Sequence, residues 1–272
     1  MMSKMFFSLF VIIYGLQSAE VKTLEIFSEK MKKHIPASII LPDEYMKGDK
    51  SFPVLYLLHG AGGNHMDWRN ITSIATLADQ YGMIVLCPDG AVTSWYFDSP
   101  IDPKFQYETH VAKECVTYLD KNYRTKADRK SRAISGLSMG GHGAMYLALR
   151  HPQTFSIAVP LSGGVDIRPF PNNWDIKKRL GEMSSNKKRW DDHTVIELAK
   201  NLKDGDLALS IDCGTEDFFL KVNRNLHTLL KSKGVKHNYE EHPGAHNWDY
   251  WKAAIIRQMP FISKEFKKAD KE

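Results

Sequence analysis

The chain has 272 residues, 43% hydrophobic and 11% aromatic, enough apolar material for one sizeable α/β domain or two small ones. Lys and Arg number 37 against 32 Asp and Glu, and the formal charge of +5 is scattered over helix faces and the two ends, as at Lys30, Lys32, Lys33 and Lys264 to Lys271. A scattered excess excludes a nucleic-acid reader, which needs a clustered basic face carrying stacking or base-reading groups.

Met1-Met2-Ser3-Lys4 precedes an apolar run from Met5 to Leu16, the length of a secretory hydrophobic region and too short to span a bilayer. Residues 1–19 therefore read as an export signal, with cleavage expected after Ala19 and residues 20–272 forming the mature domain. No cysteine lies near this segment, so a thiol-linked lipid and a stable membrane anchor are not expected. Lys22 to Leu41 reads as an antiparallel hairpin that starts the sheet.

Val54 to Leu58 is the first buried strand, and it runs into Leu58-His59-Gly60-Ala61-Gly62-Gly63-Asn64. Such a glycine-rich loop lets the backbone approach a ligand closely. It lacks the Gly-Lys-Ser/Thr continuation of a phosphate loop and the spacing of the dinucleotide fingerprint. A second strand is predicted over Met83 to Cys87, and a helix over Phe105 to Tyr123 from Val111, Cys115, Tyr118 and Leu119 at helical spacing. The three cysteines, Cys87, Cys115 and Cys213, cannot all pair and read as buried thiols, with a single Cys87 to Cys213 pair as the alternative.

Arg132 to Gly136 is the next strand, and Gly136-Leu137-Ser138-Met139-Gly140 follows, leading into the small, helix-prone stretch Gly140 to Arg150. Glycines on both sides of Ser138 let the chain turn sharply from strand to helix and lift the hydroxyl above the sheet, which makes Ser138 a candidate nucleophile. Ile157 to Leu161 is another strand. From Gly163 to His193 the chain is rich in Pro, Asn, Lys, Arg and Trp without a clear period, and is read as an insertion over the sheet's carboxyl edge, either a substrate cover or an inert surface loop.

A serine hydroxyl needs a base, oriented in turn by an acid. The strand Leu207 to Cys213 ends in Asp212-Cys213-Gly214-Thr215-Glu216-Asp217. Asp217 is the preferred acid because it lies on the loop beyond the strand, with Glu216 and Asp212 as alternatives. A helix over Phe219 to Lys233 and a last strand opening near His237 follow. His242 and His246 are the remaining bases, and His246, in a tight turn before the final helix Trp248 to Phe266, is preferred. Backbone N–H groups of Met139 and Ala61 are the expected oxyanion donors, each contributing about 3 kcal/mol to barrier lowering in such sites. The alternation of strands and helices, with no repeat or linker, predicts a single α/β domain with a mostly parallel central sheet and helices on both faces. The reading calls for no cofactor and no metal.

These residues resemble the esterase family of α/β-hydrolases that includes esterase D, feruloyl and acetylxylan esterases, tributyrin esterases and the mycolyltransferases. The resemblance runs from about Lys30 to Phe266. It rests on Pro53 to Gly60, Ser94-Trp95-Tyr96-Phe97-Asp98-Ser99, Gly136 to Gly143, Cys213 to Phe218 and Pro243-Gly244-Ala245-His246. It implies Ser138, Asp217 and His246 as the catalytic triad, Ala61 and Met139 as the oxyanion hole, and Trp95 and Tyr96 beside the acyl pocket. His142, inside the helix that follows the elbow, reads as a packing or structural residue. The implied activity is that of an exported serine carboxylesterase on small-molecule or carbohydrate esters, short-chain or aromatic, with acetyl and feruloyl groups on plant polysaccharide as examples. Acyl transfer, formylglutathione thioester hydrolysis and a non-catalytic binding role are the competing readings.

Overall fold

A computed structural model of the chain describes residues 19–271. The expected export signal, apart from Ala19, lies outside the described residues. Eight strands form one sheet: β1 (Glu20–Ser28), β2 (Lys33–Leu41), β3 (Val54–Leu58), β4 (Ile84–Pro88), β5 (Arg132–Leu137), β6 (Ile157–Leu161), β7 (Ala208–Gly214) and β8 (Asn238–His242). Their order is β1-β2-β4-β3-β5-β6-β7-β8. β1 and β2 form the hairpin read from the sequence, and β2 joins β4 antiparallel. From β4 to β8 every pairing is parallel.

The strands divide their side chains between two cores, as a period of two requires. Val54, Tyr56 and Leu58 of β3 enter one core, Leu55 and Leu57 the other. On the second face lie α1 (Asp67–Ile71) and α2 (Ile74–Tyr81), which the sequence reading did not resolve. The first face is covered by α3 (Val116–Asn122), preceded by a π-helical turn at His110–Cys115, and by α4 (Met139–Arg150). The predicted helix over Phe105 to Tyr123 is thus a broken one. The insertion holds α5 (Ile176–Leu180) and α6 (Lys187–Asp192), of five and six residues, too short to show a period. The chain finishes with α7 (Leu220–Ser232) on the first face and α8 (Trp248–Ala269) on the second.

Because consecutive parallel strands share a direction, the loops after β3, β5, β7 and β8 all emerge at one edge of the sheet. In open α/β sheets that edge is the ligand-binding one. Cys87, Cys115 and Cys213 are buried free thiols, and no described helix is long and apolar enough to cross a membrane.

Candidate active site

β5 runs into α4 through Ser138, whose φ of 56° and ψ of −116° lie outside the ordinary regions for a residue with a side chain. Strain of this kind persists only where the surroundings fix it. Here they do so by close approach: a Cβ on Gly140 would fall 2.5 Å from the Leu58 carbonyl oxygen, and one on Gly136 would fall 2.6 Å from that of Gly140. Only hydrogen at both positions lets β5, α4 and the end of β3 come together. The turn leaves Ser138 at the floor of a cleft of about 590 Å³.

His246 arrives from the loop between β8 and α8. Its Nε2 is 2.9 Å from the Ser138 Oγ and its Nδ1 is 2.8 Å from an Asp217 carboxylate oxygen. A carboxylate only accepts, so Nδ1 carries the ring proton and Nε2 is left to accept from the serine hydroxyl. The Asp217 side chain is fully buried, and its second oxygen accepts the Phe219 N–H at 2.8 Å. The competing acids stand elsewhere. Asp212 is buried within β7, where Tyr250, Arg257 and Gln258 donate to it, while Glu216 is exposed. His242 faces Glu240 at 3.0 Å instead of the serine.

The loop after β3 holds Ala61 in the cleft wall. The neighbouring amides are already engaged, with Gly62 N–H donating to the Val92 carbonyl and Gly63 N–H to that of Gly60. His59 pins the base of the loop. Gly90 N–H donates to its Nε2 at 2.8 Å, so Nδ1 carries the proton and donates to the Gly60 carbonyl at 2.7 Å. Burial lowers the pKa of this ring, which favours the neutral form that such a pair of bonds requires. Met139, the other expected donor, is the first residue of α4, where a backbone N–H has no partner within the helix.

Trp95 and Tyr96 correct the expectation drawn from the resemblance. They are 1% and 0% exposed and do not line the cleft. Both have positive φ, 56° and 58°, which tucks their rings behind the loop instead of over it. The Tyr96 hydroxyl donates to the His59 carbonyl at 3.0 Å, and the Trp95 indole N–H to the Trp174 carbonyl at 3.1 Å. Their work is bracing. His142 is packed edge-on to Trp95 and stacked on Tyr146, and burial lowers its pKa to about 3.

The side chains that do line the cleft include Trp174, Phe218, Trp248 and Trp251, with Ile71 and Asp67. Trp174 belongs to the insertion, and its ring stacks on Phe218 at 5.7 Å and 18°. Phe218 in turn lies 4.1 Å from the His246 ring. Sequence reasoning missed these residues. They come from four separate segments, and the one available signal was the density of aromatics after Asp217 and around His246. Among the described residues, Asp212, Glu240 and His242 bring potential metal-ligand atoms within 4.8 Å of one another. Arg257 already neutralises Asp212 there.

The sequence profile of the family described as Putative esterase matches residues 28–262. The chain belongs to that family. An acetyl esterase of Caldicellulosiruptor saccharolyticus is 28% identical over 90% of this chain and 98% of its own. An S-formylglutathione hydrolase of Bos taurus is 27% identical over 73% of this chain and 76% of its own. Among solved structures, a ferulic acid esterase superposes with a TM-score of 0.78 at 27% identity, covering 92% of this chain and all of that one. This member of the esterase family therefore has the α/β-hydrolase fold and is a carboxylic ester hydrolase.

Proposed function

We propose that this esterase is an exported serine carboxylesterase that works through Ser138, His246 and Asp217 and an acyl-enzyme. The reading rests on one observation above the others, the unbroken hydrogen-bond chain from Ser138 Oγ through His246 to Asp217 at the floor of an open cleft. The Ser138 oxygen adds to the ester carbonyl carbon while its proton passes to His246 Nε2. The carbonyl oxygen takes the negative charge and is held by the Met139 and Ala61 N–H groups. As the C–O bond to the alcohol breaks, His246 returns the proton to the leaving oxygen. Water then attacks the acyl-serine by the same steps in reverse, with His246 as base. Asp217 holds the imidazole tautomer throughout and stabilises its charged form.

The substrates proposed are short-chain or aromatic acyl esters, including acetyl or feruloyl groups on plant polysaccharide. The similarity to an acetyl esterase and a ferulic acid esterase supports this, as do the aromatic walls of the cleft. The apolar run after Lys4 is what supports the export part of the proposal. Hydrolysis of p-nitrophenyl acetate and butyrate should fall by at least about a thousandfold in Ser138→Ala, and comparable turnover by both proteins would sink the reading. Recovery of the mature chain outside the cytoplasm, with Glu20 at its N-terminus, tests export.

A further inference from the structure

The cleft over Ser138 has a charge pattern that ester hydrolysis does not itself require. Although the whole chain carries a formal +5, no Lys or Arg is among the described residues that line the cleft, and one Asp is. That residue is Asp67, at the start of α1, directly after the oxyanion loop. One of its carboxylate oxygens accepts the Asn64 N–H at 3.2 Å and occupies the space that a Cβ on Gly63 would fill. The carboxylate is therefore held against the loop that receives the substrate. Asp67 forms no ion pair among the described residues, and its helical neighbour Arg69 donates instead to Thr23. Around it the walls are Ile71, Trp174, Phe218, Trp248 and Trp251, surfaces that receive the face of a flat or ring-shaped neutral group.

We propose that Asp67 is a specificity-determining residue, a charge filter that admits esters of neutral alcohols such as sugar hydroxyls and rejects leaving groups that carry carboxylates. This rests on the esterase reading above and narrows it. An anionic leaving group must enter the same partly desolvated cleft as a carboxylate with no cation beside it, where like charges repel more strongly than in water. A glutathione-type thioester, whose thiol portion bears two carboxylates, falls on the rejected side. A neutral sugar ester does not.

Three acetate esters of nearly equal shape separate the effect: those of methyl 4-hydroxybenzoate, of 4-hydroxybenzoate, and of (4-hydroxybenzyl)trimethylammonium. Each kcat/KM is divided by the rate of hydroxide hydrolysis of the same ester, which removes differences in intrinsic reactivity. At low ionic strength the unaltered enzyme should prefer the neutral to the anionic ester by about tenfold and accept the cationic one at least as well as the neutral. Added salt should shrink the preference severalfold. Asp67→Asn keeps an oxygen for the Asn64 N–H and should lower the ratio toward unity, whereas Asp67→Glu should keep most of it. An unaltered enzyme that takes the anionic ester as well as the neutral one would overturn the proposal, as would a ratio unchanged in Asp67→Asn. The salt series needs no substitution, so it decides the matter even if the variants fold poorly. Failure to hydrolyse any of the three esters is a separate signature, and it would overturn the esterase reading together with the filter.

Discussion

In the proposed mechanism Asp217 acts on the reaction only through His246, to which its carboxylate is hydrogen-bonded. Its buried carboxylate sets which ring nitrogen carries the proton, so Asp217→Asn should leave the fold intact yet lower kcat by about 10⁴, because an amide can present N–H and reverse the tautomer. Stopped-time assays of kcat and KM check this, and an unchanged kcat would remove Asp217 from the mechanism. Trp95 and Trp174 separate packing behind the cleft from contact within it. Trp95 is buried behind the site, and Trp95→Ala should destabilise the protein by about 3–5 kcal/mol. Trp174 lines the cleft, and Trp174→Ala should instead raise KM severalfold with a smaller loss of stability. Urea unfolding beside steady-state kinetics distinguishes the two. Equal effects on both quantities would mean that the rings share one role.

The elbow between β5 and α4 is an element-scale device, because its geometry depends on how close two backbones can come. Gly140→Ala would drive a methyl group to 2.5 Å from the Leu58 carbonyl oxygen and 2.6 Å from that of His59, and neither can yield as a flexible side chain would. The expected cost is about 1–3 kcal/mol of stability. It should come with a lower kcat, since β3 leads into the loop that holds Ala61 and must move away from Ser138. Thermal unfolding and kcat should change together; a variant that loses stability at full kcat would show that the two elements are not coupled in this way. The insertion is held by apolar packing that has no period, with Val165, Ile167, Ile176 and Leu180 buried in the first core, and by charge. Arg168 pairs with Asp166, Asp191 and Glu197, which ties its ends together around Trp190, itself fully buried.

Across the whole molecule, the first core hides a charged group that makes acid stability a property of the fold. Glu108, on the segment leading to α3, accepts from Tyr146 and Arg150 of α4 and bonds His151 just beyond it. Burial alone would raise its pKa, but the bonds from His151, Arg150 and Tyr146 outweigh that and hold it at about 2, against the usual 4.5. A carboxyl depressed by folding adds stability that is fully present above about 4.5 and is lost as the pH falls toward 2. The size is on the order of 3 kcal/mol. Glu108→Gln should therefore weaken the protein at neutral pH and flatten the fall in unfolding midpoint between pH 4.5 and 2. A slope equal to that of the parent protein would place the acid sensitivity elsewhere.

The amino-acid sequence alone carried the parts of this protein that depend on local rules. The strand periods, the turn at Ser138 and the succession of Ser138, Asp217 and His246, which the structure joins by hydrogen bonds, were readable because each is written in neighbouring residues or in their order along a parallel sheet. The same locality made Asp217 preferable to Asp212, since only a residue past the strand end can leave the sheet. The tertiary structure decided what lines the cleft. Trp95 and Tyr96 look like pocket residues in a linear motif, but two successive positive φ angles turn their rings into the core, and no pattern of side chains announces a backbone sign. Asp67, Trp174, Phe218 and Trp248 share the cleft only because four loops end at one edge of the sheet. Their meeting is a matter of where strands stop in space, and spacing along the chain does not record it.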